Sequence, residues 1–161
     1  MIPCKATSWL RAAFVTALCA ASAGCVAVDD DNIVQSADVA LSPSAFVVPP
    51  IKVMESAERF AATRPNTFIF YTQTDDMLPR YAQGTALVAE PLSYRQLKRG
   101  MTVVFYTRTG SRIAHTLIAQ SQDGWVTRAL NRPQDDPDLM TGRNYLGVVV
   151  TAFAPDSKRA Q

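Results

Sequence analysis

Short segments rich in β-branched and aromatic residues recur from position 67 onward, and Gly, Asp and Pro residues separate them. The segments cover residues 68–73, 85–90, 101–108, 112–122, 125–130 and 144–154. Two connections, Thr109-Gly110-Ser111 and Gln122-Asp123-Gly124, are typical of tight hairpins and predict a meander of three strands. Six short strands with little helix between them predict a compact, mainly β domain over residues 67–154.

One helix is expected before these strands, within residues 51–66. Apolar side chains recur there at helical spacing, and acidic residues precede basic ones, which is the order that the helix dipole favours. Pro49-Pro50 stands before the segment, and Arg64-Pro65 ends it because a residue before proline disfavours the helical conformation. Residues 155–161 are assigned to a tail.

The first 25 residues have the composition of an export signal. Lys5 and Arg11 make its start basic. The uncharged apolar run that follows is too short to cross a ~30 Å hydrocarbon core. Ser22-Ala23-Gly24-Cys25 resembles the bacterial lipobox, in which the cysteine is acylated and becomes the new N-terminus. We expect a signal peptide at 1–25 and a membrane-anchored lipoprotein, lipidated at Cys25, that faces the periplasm or the cell exterior. The alternatives are a secretory signal in which Cys25 has no role and an uncleaved anchor.

The mature chain predicted in this way begins with a tether at 26–50, which shows no clear periodicity. Removal of Lys5 and Arg11 reduces the sixteen Lys and Arg residues to fourteen, which equals the fourteen Asp and Glu residues. A neutral chain excludes recognition of nucleic acid or of an anionic membrane by bulk charge. Cys4 and Cys19 also lie in the signal, so an internal disulfide is excluded, and no cofactor is expected.

Two features of the β domain can carry chemistry. The only histidine of the chain, His115, lies on the predicted strand 112–122, on the same face as Ile113, Leu117 and Ala119, and we expect it to point inward. A polar segment at 74–81 follows the first strand, at a junction where side chains often form a site. Taken alone, His115 is more typical of a hydrogen-bonded core histidine than of a functional residue, and the polar segment also fits a capped turn.

An ordered series of motifs resembles the signal peptidase I/LexA-like serine peptidases, in the branch that uses a Ser–His pair. The matching stretches are Asp76-Met77-Leu78-Pro79, 84–88, 97–106, Ile113-Ala114-His115, 125–131, Asp136 and 141–147. The resemblance spans roughly residues 75 to 153 and implies a LexA/signal-peptidase-like β domain. It also implies that His115 occupies the position of the general base, that Asp136 can orient it, and that Thr74, Met77 and Pro79 contact a bound peptide.

The departures from this family decide the predicted function. The family's nucleophilic serine corresponds to Asp76, and no serine occurs between positions 57 and 92. A carboxylate is a poor nucleophile toward an amide, and its charge opposes the oxyanion of the transition state. Thr116 and Leu130 replace an Arg and an Asp of the family. We therefore predict a domain that has lost serine-peptidase catalysis and binds a peptide or protein segment by strand addition.

Asp76 at this position is also expected to form an ion pair with His115. Three other functions remain open as alternatives. The first is an active peptidase with Thr72 or Thr74 as nucleophile. The second is a metal-binding protein that uses His115, Asp76 and Asp136, and the third is a purely structural envelope protein. Against the metal site, these residues have no local spacing motif.

Overall fold

The computed structural model describes residues 41–157. The predicted export signal, Cys25 and most of the predicted tether lie outside the described residues. These described residues contain seven strands: β1 (Ala45–Val48), β2 (Phe68–Tyr71), β3 (Ala86–Glu90), β4 (Thr102–Tyr106), β5 (Arg112–Gln120), β6 (Trp125–Arg128) and β7 (Tyr145–Pro155). One α-helix, α1 (Val53–Ala61), and two 3₁₀ turns, Pro50–Lys52 and Tyr94–Gln96, complete the described structure.

The strands form one sheet in the order β2-β3-β7-β4-β5-β6, and β1 pairs with β7 outside this path. The β1–β7 pair is parallel, whereas the other pairs are antiparallel. The predicted mainly β fold with one helix is therefore confirmed. Each of the six predicted strands is present within two residues at either end, and β4, β5 and β6 form the expected meander.

The structure differs from the predicted boundaries at both ends of the domain. Residues 41–50 were assigned to the tether, yet β1 lies there and pairs with residues 152–155 of β7. The predicted tail begins too early, because Pro155 belongs to β7 and the Asp156 N–H donates to the Val48 carbonyl. β1 has only four residues, and its partner is more than a hundred positions away, so no local pattern predicts it.

Helix α1 covers one face of the sheet. Its buried residues Val53 and Ala57 pack on Ala86 and Val88 of β3. The alternate β3 residue, Leu87, faces a second apolar cluster, as the two-residue period of a strand requires. Both faces of β3 are thus buried, which explains why this strand is apolar at four consecutive positions. None of the helices between residues 41 and 157 is long and apolar enough to cross a membrane.

Candidate functional site

A cleft of about 500 Å³ opens beside the first half of β5. One part of its wall comprises residues 70–74, Asp76 and Met77, and the other part comprises residues 111–115. The fold thus brings four predicted site residues to one cleft: Thr74, Asp76, Met77 and His115. Met77 is also buried in a core cluster, and Pro79 is not among the lining residues.

His115 is held by a partly buried carboxylate. Its Nδ1 lies 2.6 Å from Asp136 Oδ2, and the two side chains are 8% and 17% exposed. The Thr127 hydroxyl donates to the same oxygen over 2.6 Å, and the Asp136 N–H donates to the Thr127 carbonyl. Thr127 lies on β6, next to β5, so the sheet fixes the positions of His115 and Thr127, and Asp136 joins them from the loop that follows β6. His115 and Asp136 are therefore in direct contact, as the resemblance implies.

The protonation state of Asp136 decides which partner donates the hydrogen bond between Asp136 and His115. Burial raises the pKa of Asp136, but the hydrogen bonds from His115 and Thr127 and the charges of His115 and Arg132 outweigh it, so this pKa lies below its usual value. An ionised carboxylate only accepts hydrogen bonds, so Nδ1 carries the proton in the pair. The other ring nitrogen, Nε2, has no hydrogen-bond partner among residues 41–157. The His115 residue lines the cleft.

Asp76 has different partners from those predicted. Its Oδ1 lies 2.5 Å from Arg132 Nη2, and its Oδ2 accepts from the Thr74 hydroxyl over 2.9 Å. Burial raises the pKa of Asp76, but these two contacts and the nearby positive charges outweigh it and lower the pKa overall. The carboxylate is therefore ionised at neutral pH. The Asn131 N–H also donates to the Asp76 carbonyl. The loop after β6 therefore makes two contacts with Asp76, one from Asn131 and one from Arg132.

The predicted ion pair between Asp76 and His115 is thus replaced by two separate pairs. His115 bonds to Asp136, Asp76 bonds to Arg132, and no hydrogen bond joins Asp76 to His115 in the described part of the chain. Thr127 and Arg132 also contribute to the site, although no sequence pattern indicates them. Thr127 belongs to a strand that cross-strand pairing brings beside β5, and Arg132 lies in a loop without any recognisable motif.

The burial of His115 confirms the inward orientation expected from strand alternation. Its ring also makes an edge contact with Phe105, with 6.4 Å between the centroids. The same alternation fails at Ala119, which is exposed, because the β5–β6 register shifts between Leu117 and Ala119.

Half of β5 has an uncovered edge. Pairing of β5 with β6 begins at Thr116, so residues 112–115 pair only with β4. Backbone hydrogen bonds at Thr107–Ser111 and Met101–Leu117 bracket the β4–β5 ladder. Since bonded pairs alternate in an antiparallel ladder, Arg112 and Ala114 direct their N–H and C=O groups away from β4. These groups lie on cleft-lining residues, at an edge that no described strand covers.

No group of three or more His, Cys, Asp or Glu side chains between residues 41 and 157 is arranged to hold a metal ion. His115 and Asp136 are in direct contact, but Asp76 is bound to Arg132 instead of joining them. The arrangement can orient an imidazole base and present an open strand edge. A comparison with models of known protein families finds no match, and a comparison with curated protein sequences also finds none.

Proposed function

We propose that this chain is an exported, lipid-anchored domain of the signal-peptidase/LexA-like type that binds an extended peptide or protein segment and no longer hydrolyses it. The observation that carries the proposal is the uncovered edge of β5 beside the cleft. An extended chain placed there accepts and donates backbone hydrogen bonds at Arg112 and Ala114, as a new strand does. β2 offers a second edge, because it is the last strand of the sheet on its side.

The contacts of Asp76 support the loss of serine-peptidase catalysis. Attack on an amide needs a nucleophile that loses a proton and a site that stabilises a new oxyanion. Asp76 is already ionised and is bound to Arg132, so it has no proton to give and adds a negative charge to the cleft. On this proposal the cleft is inherited from the peptidase family. The carboxylate of Asp76, at the position of the family's serine, leaves the cleft able to bind a peptide but not to cleave it.

Strand addition can be tested without changing the protein. A ten-residue peptide that binds is selected from an immobilised random library, and its amide nitrogens are then methylated one at a time. In an added strand only alternate N–H groups face the domain, so we expect weaker binding at every second position and little change between them. Equal effects at all positions would exclude strand addition.

Hydrogen exchange provides a control within the same strand. In the free protein, the amides of Arg112 and Ala114 are expected to exchange faster than those of Ile113 and His115, which bond to β4. Addition of the selected peptide should slow Arg112 and Ala114 only. Unchanged exchange at both residues in the presence of a saturating peptide would place its binding elsewhere.

One observation favours a second candidate, an active serine-type peptidase with a non-standard nucleophile. The His115–Asp136 pair retains an oriented base in the cleft, and the Thr74 hydroxyl lines the same cleft. Thr74, however, donates its proton to Asp76 and not to His115. Thr72, the other candidate, donates to the carbonyls of Ala82 and Thr85 and so serves the β2–β3 connection.

A fluorophosphonate reagent separates the two functions, because it labels only an activated hydroxyl. Wild type, Asp76→Ser and Thr74→Ala are incubated with the reagent, and the labelled residue is located by mass spectrometry. Labelling of Asp76→Ser alone is expected from a peptidase scaffold that has lost its nucleophile. Labelling of the wild type that disappears in Thr74→Ala would establish the active peptidase instead.

A further inference from the structure

One charged side chain of the cleft has no charged partner. Arg112, the first residue of β5, is exposed and is the only Lys or Arg among the residues that line the cleft. Its guanidinium forms no ion pair and no hydrogen bond with any residue between positions 41 and 157. The only Asp or Glu of the lining, Asp76, is already paired with Arg132. The lining therefore presents one positive charge that no described residue neutralises.

An aromatic ring holds this guanidinium in place. The Arg112 Cζ lies 5.4 Å from the centre of the Phe70 ring, which is within the range of a cation–π contact. Phe70 packs against the same apolar cluster as Ala114, in agreement with the alternation that puts Arg112 and Ala114 on one face of β5. A guanidinium that stacks through its flat face keeps the N–H groups at its rim free. The stack thus orients these donors and uses none of them.

Only one side of Arg112 has a strand partner. On β4 this partner is Tyr106, whereas β6 begins to pair with β5 only at Thr116. A chain added to the uncovered edge places one of its residues directly opposite Arg112. Side chains that are directly opposite in paired strands lie on the same face, with their Cβ atoms about 5 Å apart. The added residue at this position is therefore next to the guanidinium.

A carboxylate is the group that fits this position. Its two oxygens match two parallel N–H groups of a guanidinium, and opposite charges on facing strand residues stabilise the pairing of the strands. A phosphate fits less well, because it carries about two negative charges and is typically bound by a cluster of arginines. A cationic side chain is disfavoured there because it has the same charge as Arg112.

We propose that Arg112 determines the specificity of the cleft, by selecting an extended peptide that places a carboxylate opposite it. The inference rests on the proposed peptide-binding function and deepens it, because it names the chemical class of the bound segment. The carboxylate has two possible sources, an Asp or Glu side chain and the C-terminal group of the bound chain.

The probes come from two immobilised random libraries of ten-residue peptides, one with free and one with amidated C-termini. Both are exposed to the purified full chain, and the bound peptides are sequenced. We expect Asp or Glu to be enriched at one position in both libraries if a side chain supplies the carboxylate. Binding from the free library alone would assign it to the C-terminus. Replacement of the enriched Glu by Gln, or amidation of the C-terminus, should weaken binding about fivefold or more.

Variants of the domain connect this difference to Arg112. In Arg112→Gln, a selected peptide and its neutral counterpart should bind equally. Arg143→Gln, the matched control, removes an exposed charge outside the cleft lining and should keep the full difference. Arg112→Lys keeps the charge without the paired donors and should keep only part of it. Urea denaturation of each variant verifies that the fold is retained.

The possible failures are distinguishable from one another. A carboxylate preference that persists unchanged in Arg112→Gln would overturn the proposal, because another cation then binds the peptide. Bound peptides that show alternating N-methylation effects but no carboxylate preference would overturn the role of Arg112 and leave strand addition intact. A carboxylate preference that depends on Arg112, together with equal methylation effects at all positions, would support the specificity and exclude strand addition. Failure of both libraries to yield a bound peptide would overturn both proposals.

Discussion

The candidate site contains two carboxylates in contrasting surroundings. Asp136 lies on the protected side, where His115 and Thr127 bond to one of its oxygens and its side chain is 17% exposed. Asp76 lies in a loop, where it pairs with Arg132, a side chain that is 56% exposed. Asp136 also lies in a loop, but its partners His115 and Thr127 lie on strands, whereas Thr74 and Arg132, the partners of Asp76, lie in loops. The comparison teaches that strand residues anchor the His115–Asp136 pair, whereas the Asp76–Arg132 pair is held between two loops.

Asp136→Ala is the largest test of this difference. It removes the acceptor of two hydrogen bonds in a poorly exposed place, and we expect a loss of about 2–4 kcal/mol in the free energy of unfolding. Asp76→Ala, the matched variant, breaks a more exposed pair and should cost about 1 kcal/mol or less. Urea denaturation of both variants measures the two values. A larger loss of unfolding free energy in Asp76→Ala would show that the contacts of Asp76 stabilise the fold more than those of Asp136.

The pH dependence of stability is the second test. The pKa of Asp136 is lowered in the folded protein, so its stabilising contribution is complete above the unfolded carboxyl pKa of about 3.9. The contribution is lost as the pH falls through the folded value, because the unfolded state then binds more protons. We expect Asp136→Asn to flatten the decrease of unfolding free energy below about pH 4. The same slope in Asp136→Asn and wild type would show that other carboxyls cause the acid sensitivity.

Much of the sheet could be predicted from local patterns. The strands of the meander are joined by short turns with glycine, so hydrophobic alternation and turn chemistry locate them together. β1 could not be predicted in this way. Its residues contact a strand at the other end of the domain, and its pairing depends on the completed sheet. Alternation along β5 was likewise correct at His115 and incorrect at Ala119, where a bulge intervenes.

The candidate site was predictable in its members more than in its contacts. His115 and Asp136 were named from the sequence, and the structure joins them. The partner of Asp76 was not predictable, because Arg132 reaches it from a loop 56 positions later. Opposite charge alone made His115 an equally good partner. Only the positions of the backbone decide which of the two candidate partners the carboxylate contacts.

Thr127→Val gives a smaller and more local effect. The substitution removes one hydroxyl donor to Asp136 and keeps the shape of a buried strand residue, so we expect a loss of about 1 kcal/mol in the unfolding free energy. Thr74→Val removes the corresponding donor to Asp76 at an exposed position and should cost less. Chemical denaturation compares the two variants. Equal losses would show that the sheet protects Asp136 no better than the loop protects Asp76.

The ion pair between Asp76 and Arg132 should show the smallest effect and the strongest dependence on salt. A double-mutant cycle with Asp76→Ala and Arg132→Ala is expected to give a coupling energy of roughly 0.5 kcal/mol at low salt. The coupling should fall further in about 1 M NaCl, because the Debye length shrinks to roughly 3 Å and Arg132 is open to solvent. The matching cycle for Asp136 and Thr127 should change little with salt, since a hydroxyl carries no charge to screen. A salt-independent coupling at Asp76 would mean that its segment is as well protected from solvent as the strand residues around Asp136.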